Sequence, residues 1–205
     1  MNKYRSEGLN REMIDVAKRM AWMAEYHEEN ILKHFDRVRG YSAVLSRELG
    51  MSPSDAEVLS CACQLHDIGK IGLPDGLLMK TGDFTPFEWE LLKRHTIIGV
   101  EILANLNSPV LHTGEIIAFT HHERWDGSGY PQGIKDEAIP ISGRICAIAD
   151  VFDALTTKRP YKHEIPISDA FKLMQESAGS LFDPVLIKIL LQNEDEFQRI
   201  LQVNS

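Results

Sequence analysis

Three segments of this 205-residue chain are apolar on nearly every helical face, and each carries ionisable side chains within it. VLSCACQLHDIG brings His66 and Asp67, EIIAFTHH brings His121 and His122, and ICAIADVFDAL brings Asp150 and Asp153. A helix that is apolar all round is normally buried, so these groups are carried into the interior. There, an imidazole or carboxylate without a partner is strongly destabilising or is forced to neutralise. A pair of divalent cations is the simplest partner for several His and Asp converging from separate helices. Cysteine is missing from the set: Cys61, Cys63 and Cys146 have no C-x-x-C spacing and read as buried reduced thiols. Imidazole and carboxylate ligands suit iron or manganese, leave zinc and other first-row ions open, and argue against a structural thiolate zinc site.

Apolar residues recur at helical spacing almost everywhere, and no alternating run defends a strand, so the expected fold is all-α with about seven to nine helices. The spacing predicts a first helix over Glu12 to His27 and a second over Ile31 to Leu49, stopped by Gly50. Ser52-Pro53 opens a third, which is expected to run through the His66-Asp67 pair. Thr85 with Glu88 three residues later has capping-box spacing and starts a fourth, continued or restarted after His95. A helix from Ser108-Pro109 through Glu123 leads into WDGSGYPQG, a loop rich in turn-formers. Ser142 is expected to cap a helix ending near Arg159-Pro160, and SDAFKLMQESA and DPVLIKILLQNEDEFQRI form one helix each.

With 43% apolar and 25% charged residues, composition is that of a single globular domain. Residues 1–20 are expected to form an N-terminal helix that serves as a linker or dimer contact, with the catalytic domain over 21–205. The net charge of −8 and the lack of a basic run disfavour nucleic acid as a partner. No apolar stretch is long enough for a signal peptide or a membrane span, so a cytoplasmic, non-membrane protein is expected, with no sensory domain ahead of the core.

Taken singly, each dipeptide is weak: a His-Asp pair arises by chance about once in every two chains with this many His and Asp. The ordered set is specific. HFDRV begins at His34, HDIGK spans His66 to Lys70, KRHTIIG surrounds His95, and HHERWDGSGYP spans His121 to Pro131. ADVFDALTTKRPYK follows from Ala149 to Lys162, then FDP from Phe182 to Pro184. From about Ala24 to Pro184 the chain closely resembles the HD-GYP family, a subgroup of the HD-domain metal-dependent phosphohydrolases.

The resemblance implies a compact helical HD-domain fold with the GYP loop and a phosphodiesterase for the bacterial second messenger cyclic di-GMP. His34, His66, Asp67 and Asp150 would hold one metal, with Asp67 bridging to a second held by His95, His121 and His122. His34 and His95 enter only through the resemblance. Hydrolysis by a hydroxide bridging two metals would give linear pGpG, with cleavage on to GMP less expected. Asp67, Lys70 and Asp153 form the expected catalytic set. Lys70, on the turn after Asp67, is placed for a non-bridging phosphate oxygen. Asp153, one turn after Asp150, can orient a ligand, the substrate or the leaving group. Arg159 and Lys162 are expected on phosphate or guanine, and Tyr130 on a guanine or a partner protein. Gly127 and Gly129 allow the loop a close approach or a lid motion.

One departure bears on metal count. Members thought to hold three metals carry Glu four residues before the first His, where this chain has Asn30, so two metals are expected unless Glu28 or Glu29 reaches in. His27 and Asp136, where Arg and Gly are common, are not ligand positions. Expected partners are cyclic di-GMP, a GGDEF-type diguanylate cyclase at the GYP loop, and a second copy through the N-terminal helix. That helix fits equally a dimer contact, attachment to a partner, or a plain cover for the core. Two other readings are a cyclic di-GMP sensor without turnover and an HD phosphohydrolase of another nucleotide. The intact His66, Asp67 and GYP positions count against the first, and the GYP block against the second.

Overall fold

The computed structural model describes residues 11–27, 30–158 and 164–204. They are helical throughout, with a single isolated bridge, Ala178 to Phe182, in place of any strand among the described residues. The elements are α1 (Arg11–Ala24), α2 (Ile31–Glu48), α3 (Pro53–Ala62), α4 (Asp75–Leu78), α5 (Pro86–Lys93), α6 (His95–Leu103), α7 (Pro109–Thr120), α8 (Ile141–Thr156), α9 (Ile167–Glu176), α10 (Pro184–Gln192) and α11 (Glu194–Val203). The all-α expectation holds, with eleven α-helices among the described residues in place of seven to nine, because the spacing does not predict the short α4 and breaks at Arg94 and Asn193 divide longer runs.

Local chemistry explains most boundaries. The Ser52 side chain accepts from Asp55 N–H with Pro53 in the first turn of α3. At α5 the capping box forms in both directions: Glu88 N–H donates to Thr85 Oγ1 at 3.3 Å and Thr85 N–H to Glu88 Oε2 at 2.7 Å. Gly50, at φ 79°, takes the left-handed turn after α2.

Several boundaries differ from the spacing, among them the ends of α7 at Thr120, short of Glu123, and of α8 at Thr156, short of Arg159. The helix α1 ends at Ala24, short of His27. At the start of α8, Pro140 holds the cap position and Ser142 lies inside the first turn without capping. The expected last helix divides at Asn193, whose side-chain amide donates to Ile189 O at 2.8 Å and closes α10. The largest difference is at α3, which stops at Ala62; 3₁₀ turns over Cys63–Leu65 and Ile68–Gly72 follow. His66 closes the first 3₁₀ turn in αR conformation and Asp67 leaves it at φ −103°, ψ 13°, so both side chains stand at the link between the two turns.

The core sits between α2, α3, α7 and α8. Tyr41 of α2 stacks on Phe197 of α11 at 4.8 Å, and Phe152 of α8 meets both rings edge-on at 5.2 Å. Ala17, Ala21 and Ala24 turn the small face of α1 onto this core, and the helix runs unbroken through residue 20. All three cysteines are buried free thiols. No described helix is long and apolar enough to cross a membrane.

The turn Ile68–Gly72 packs against α6 so closely that a Cβ on Gly69 would lie 1.9 Å from His95 O and 2.5 Å from Gly99 N. Both neighbours are backbone and cannot swing aside. Gly69→Ala is therefore expected to destabilise by about 3 kcal/mol or more, an overpacking effect, and to lower Tm by about 6–12 °C in a chain of this size. Gly76→Ala, with nothing within 4 Å of the added carbon, should leave Tm unchanged or slightly raised. Thermal denaturation of the metal-free variants checks this, and equal Tm values would overturn it.

Candidate metal centre

Five parts of the chain deliver side chains to one point. His34 comes from α2, His66 and Asp67 from the link between the 3₁₀ turns, and His95 from the first residue of α6. His121 and His122 come from the C-terminal end of α7, and Asp150 from α8. They form two sets, Asp67, His95, His121 and His122, and His34, His66 and Asp150. Within each set the potential ligand atoms lie within 4.8 Å of one another. Asp67 joins the sets: its Oδ2 is 3.3 Å from His66 Nε2, and its Oδ1 is 3.2 Å from His95 Nε2 and 3.6 Å from His121 Nε2. Asp150 Oδ1 lies 3.8 Å from His66 Nε2 and 3.9 Å from His34 Nε2. The structure thus brings all seven expected ligand residues together.

The far side of four of the five rings is fixed. Nδ1 of His66, His95 and His121 donates to the carbonyls of Cys63, Leu92 and Ile117 at 2.8, 2.7 and 3.0 Å. Nδ1 of His34 donates to Asp153 Oδ2 at 2.7 Å. These oxygens accept, so Nδ1 carries a proton and Nε2 is the atom left to face the centre. Inside, Nε2 of His66, His95 and His121 and Oδ1 of Asp67 are buried without a hydrogen-bond partner. Buried polar atoms are rarely left so, and four of them converging on one spot fit a cation.

Electrostatics agree. Burial pushes the His95 pKa down to about 4 despite Asp67, and burial with the neighbouring His121 also lowers that of His122. These rings are neutral, the form that ligates a metal. Burial opposes the charge on Asp67, but Lys70 and His66 outweigh it and hold the carboxyl well below the usual range. Burial likewise opposes charge on His66, yet Asp67, Asp150 and Glu25 lift its pKa to about 10. The pocket therefore favours positive charge at His66 Nε2.

The remaining expected residues fall in different places. Lys70 Nζ is 2.7 Å from Asp67 Oδ2 and 2.9 Å from Glu25 Oε2. Tyr130 stacks on His122, centroids 4.6 Å apart, with its ring edge-on to His95. Gly129 lets the loop lie against the chain after α7, since a Cβ there would be 2.4 Å from Arg124 N. Glu123 Oε1 accepts from Gln132 N–H at 2.8 Å and ties the loop down. Asp153 requires a correction: it is 1% exposed and does not face substrate space. One carboxylate oxygen takes His34 Nδ1 and Arg37 Nη2, the other Arg37 Nε, so of its three expected roles the geometry keeps only that of orienting a ligand. Arg37 escaped the sequence reading although it lies within HFDRV; it also donates to Asn204 O at 2.8 Å, linking α2 to the chain's end. Asn30 precedes α2 in a left-handed conformation, φ 63°, exposed and without a capping bond. His27 lies 3.5 Å from Asp75. Glu28, Glu29, Arg159 and Lys162 lie outside the described residues.

Comparison with known proteins matches the HD domain family over residues 18–186. A cyclic di-GMP phosphodiesterase of Thermotoga maritima is 45% identical over 184 residues, covering 90% of this chain and 50% of that protein. The 3'3'-cGAMP-specific phosphodiesterase 2 of Vibrio cholerae is 42% identical over 164 residues, covering 80% of this chain and 31% of that one. The chain thus spans half the length of the first relative and less of the second. Among solved structures, the HDG"Y"P protein Bd1817 of Bdellovibrio bacteriovorus superposes with a TM-score of 0.61 at 21% identity, over 79% of this chain and 51% of that one. That likeness is one of fold.

If Asp153 acts by orienting His34, Asp153→Asn should weaken Mn²⁺ binding by about 10–100-fold, the usual effect of losing a partner behind a ligand. Titration of metal-stripped protein with Mn²⁺, alongside circular dichroism to confirm folding, measures this. Wild-type affinity in a folded variant would refute the positioning role.

Proposed function

The chain belongs to the HD-domain family, in its HD-GYP branch, and on that premise we propose that it is a metal-dependent phosphodiesterase hydrolysing cyclic di-GMP to linear pGpG. The observation that carries the reading is Asp67, whose two carboxylate oxygens face two clusters of buried, tautomer-fixed imidazoles. In this reading His34, His66 and Asp150 hold one cation, His95, His121 and His122 a second, and Asp67 is shared. Iron or manganese suits these donors best. Such cations, when bound, supply Lewis acidity and a water acidified for attack on phosphorus.

The chain's own groups do the rest. Lys70 Nζ, beside Asp67, offers positive charge to a non-bridging phosphate oxygen as charge grows there. Tyr130, held against His122, offers a face and an edge to a guanine. Arg159 and Lys162 are assigned the remaining phosphate and guanine contacts from their place in the motif. Exposed Asn30 offers no carboxylate to a third cation, which supports stopping at pGpG rather than GMP. A bacterial second messenger as substrate supports a cytoplasmic location.

The catalytic unit is placed over 21–205. Val16, Trp22, Met23 and Tyr26 are exposed on or just beyond α1, which supports an attachment or homodimer role for the N-terminal helix. The GYP loop remains the proposed contact for a GGDEF-type cyclase. A second reading, hydrolysis of 3'3'-cGAMP, is favoured by the Vibrio relative.

The test is a panel of cyclic di-GMP, 3'3'-cGAMP and cyclic di-AMP, incubated with Mn²⁺- or Fe²⁺-loaded protein. Cyclic di-GMP is expected to be turned over fastest, to pGpG. Asp67→Asn should reduce kcat by about 10³-fold or more, roughly 4 kcal/mol of barrier. Preference for 3'3'-cGAMP selects the second reading, and a fully active Asp67→Asn variant would sink both.

A further inference from the structure

Glu25 follows α1 directly and lies outside every motif that points to the site, yet it is 4% exposed. Its Oε2 accepts from Lys70 Nζ at 2.9 Å, and the same ammonium is 2.7 Å from Asp67 Oδ2. Lys70 is therefore divided between two buried carboxylates, one of which belongs to both ligand clusters. The arrangement is rigidly backed. Buried Ala17, Ala21 and Ala24 seat α1 on the core, and α1 packs on the 3₁₀ turn that carries Lys70. The pair borders a cavity of about 180 Å³ lined by His27, Leu77, Phe84 and Leu92, and its own side chains are largely buried, where charge interactions are strong.

An ammonium so near Asp67 competes with a cation for the same oxygen. A second carboxylate, Glu25, offers that ammonium another partner at 2.9 Å. We propose that Glu25 is a positioning residue: it shares the Lys70 ammonium with Asp67 and weakens its hold there, so that a cation can take Asp67 Oδ2 and Lys70 Nζ is available to the substrate phosphate. Only the second half rests on the phosphodiesterase reading; the first concerns metal binding alone. A plain structural ion pair would show the same distances but would not couple Glu25 to metal affinity through Lys70.

A double-variant cycle separates the two. Wild type, Glu25→Gln, Lys70→Met and the double variant are stripped and titrated with Mn²⁺, with Tm recorded for each. Glu25→Gln is expected to weaken Mn²⁺ binding by about tenfold, because Lys70 then pairs with Asp67 alone. Adding Lys70→Met in that background should restore affinity to the level of Lys70→Met by itself. Losses that simply add, or a Glu25→Gln variant that binds Mn²⁺ as wild type does, overturn the assignment. Should Glu25→Gln fail to fold, the same cycle with Glu25→Asp decides, since the shorter carboxylate should give the same Lys70-dependent loss in smaller measure. For the phosphate half, cyclic di-GMP hydrolysis should show kcat falling equally in Glu25→Gln, Lys70→Met and the double variant; independent losses reject it. A wild type that hydrolyses no cyclic dinucleotide while the Mn²⁺ cycle holds would refute the phosphodiesterase reading and leave the metal half standing.

Discussion

The structure depends on one buried anion. Asp67 is ionised in the interior because Lys70 and His66, its neighbours on the 3₁₀ turns, and imidazoles from α6 and the end of α7 surround it. An isolated carboxylate at that depth would neutralise. The helices α2, α6, α7 and α8 therefore cannot be packed in any order that merely buries apolar surface; they must also present His34, His95, His121 and Asp150 to the same point. The backbone around Asp67 bears the geometric demand. It leaves the α-helix, tightens into 3₁₀ turns, and passes within contact distance of His95 O, which only Gly69 allows.

Helix ends serve this site in a second way. The last turn of a helix has carbonyls without intrahelical donors. Leu92 and Ile117 lie in the last turns of α5 and α7, and their oxygens, besides accepting a cap N–H each, fix Nδ1 of His95 and His121. The ring orientation is thus set by backbone, which no side-chain substitution nearby can remove. His34 is different, because it lies in the first turn of α2 and its Nδ1 meets a side chain, Asp153. That carboxylate in turn needs Arg37. His34 is therefore held by a chain of charged side chains, whereas His66, His95 and His121 are held by main chain. Side-chain support is open to change by mutation or by movement of the C-terminal segment that Arg37 also grips.

Much of this was legible in the sequence wherever the signal was local. The capping box at Thr85 and Glu88, the glycine stop after α2, and the conflict of His and Asp inside apolar helices all involve residues within a few positions of each other. His34 and His95 carried no such conflict, since a lone His beside polar neighbours looks like an ordinary surface residue; the family resemblance identified them. Arg37 and Glu25 could not be read, because their partners lie 116 and 45 residues away and only the packed chain shows the pairing. Asp153 was misplaced for a related reason. One-turn spacing from Asp150 shows that two carboxylates share a face, but not that Arg37 and His34 occupy the space before the second one.

On the proposed function, an acidic chain has to reverse its field locally to take a dianionic substrate. The charge of −8 is spread over the surface and is screened within about 8 Å at physiological salt. The candidate site is governed by the few charges inside that distance: the cations that Asp67 and Asp150 are arranged to hold, and Lys70. Surface charge can then stay negative and suppress binding to nucleic acid, whose polyanionic backbone meets a repulsive exterior, while a small phosphodiester that enters the cleft meets an attractive one. The position of Lys70 decides how much of that attraction reaches the phosphate. Lys70 lies between Asp67 and Glu25, and on the proposal above Glu25 draws part of its pairing away from Asp67, which would make the residue just beyond α1 part of the electrostatics of a site built from the other helices.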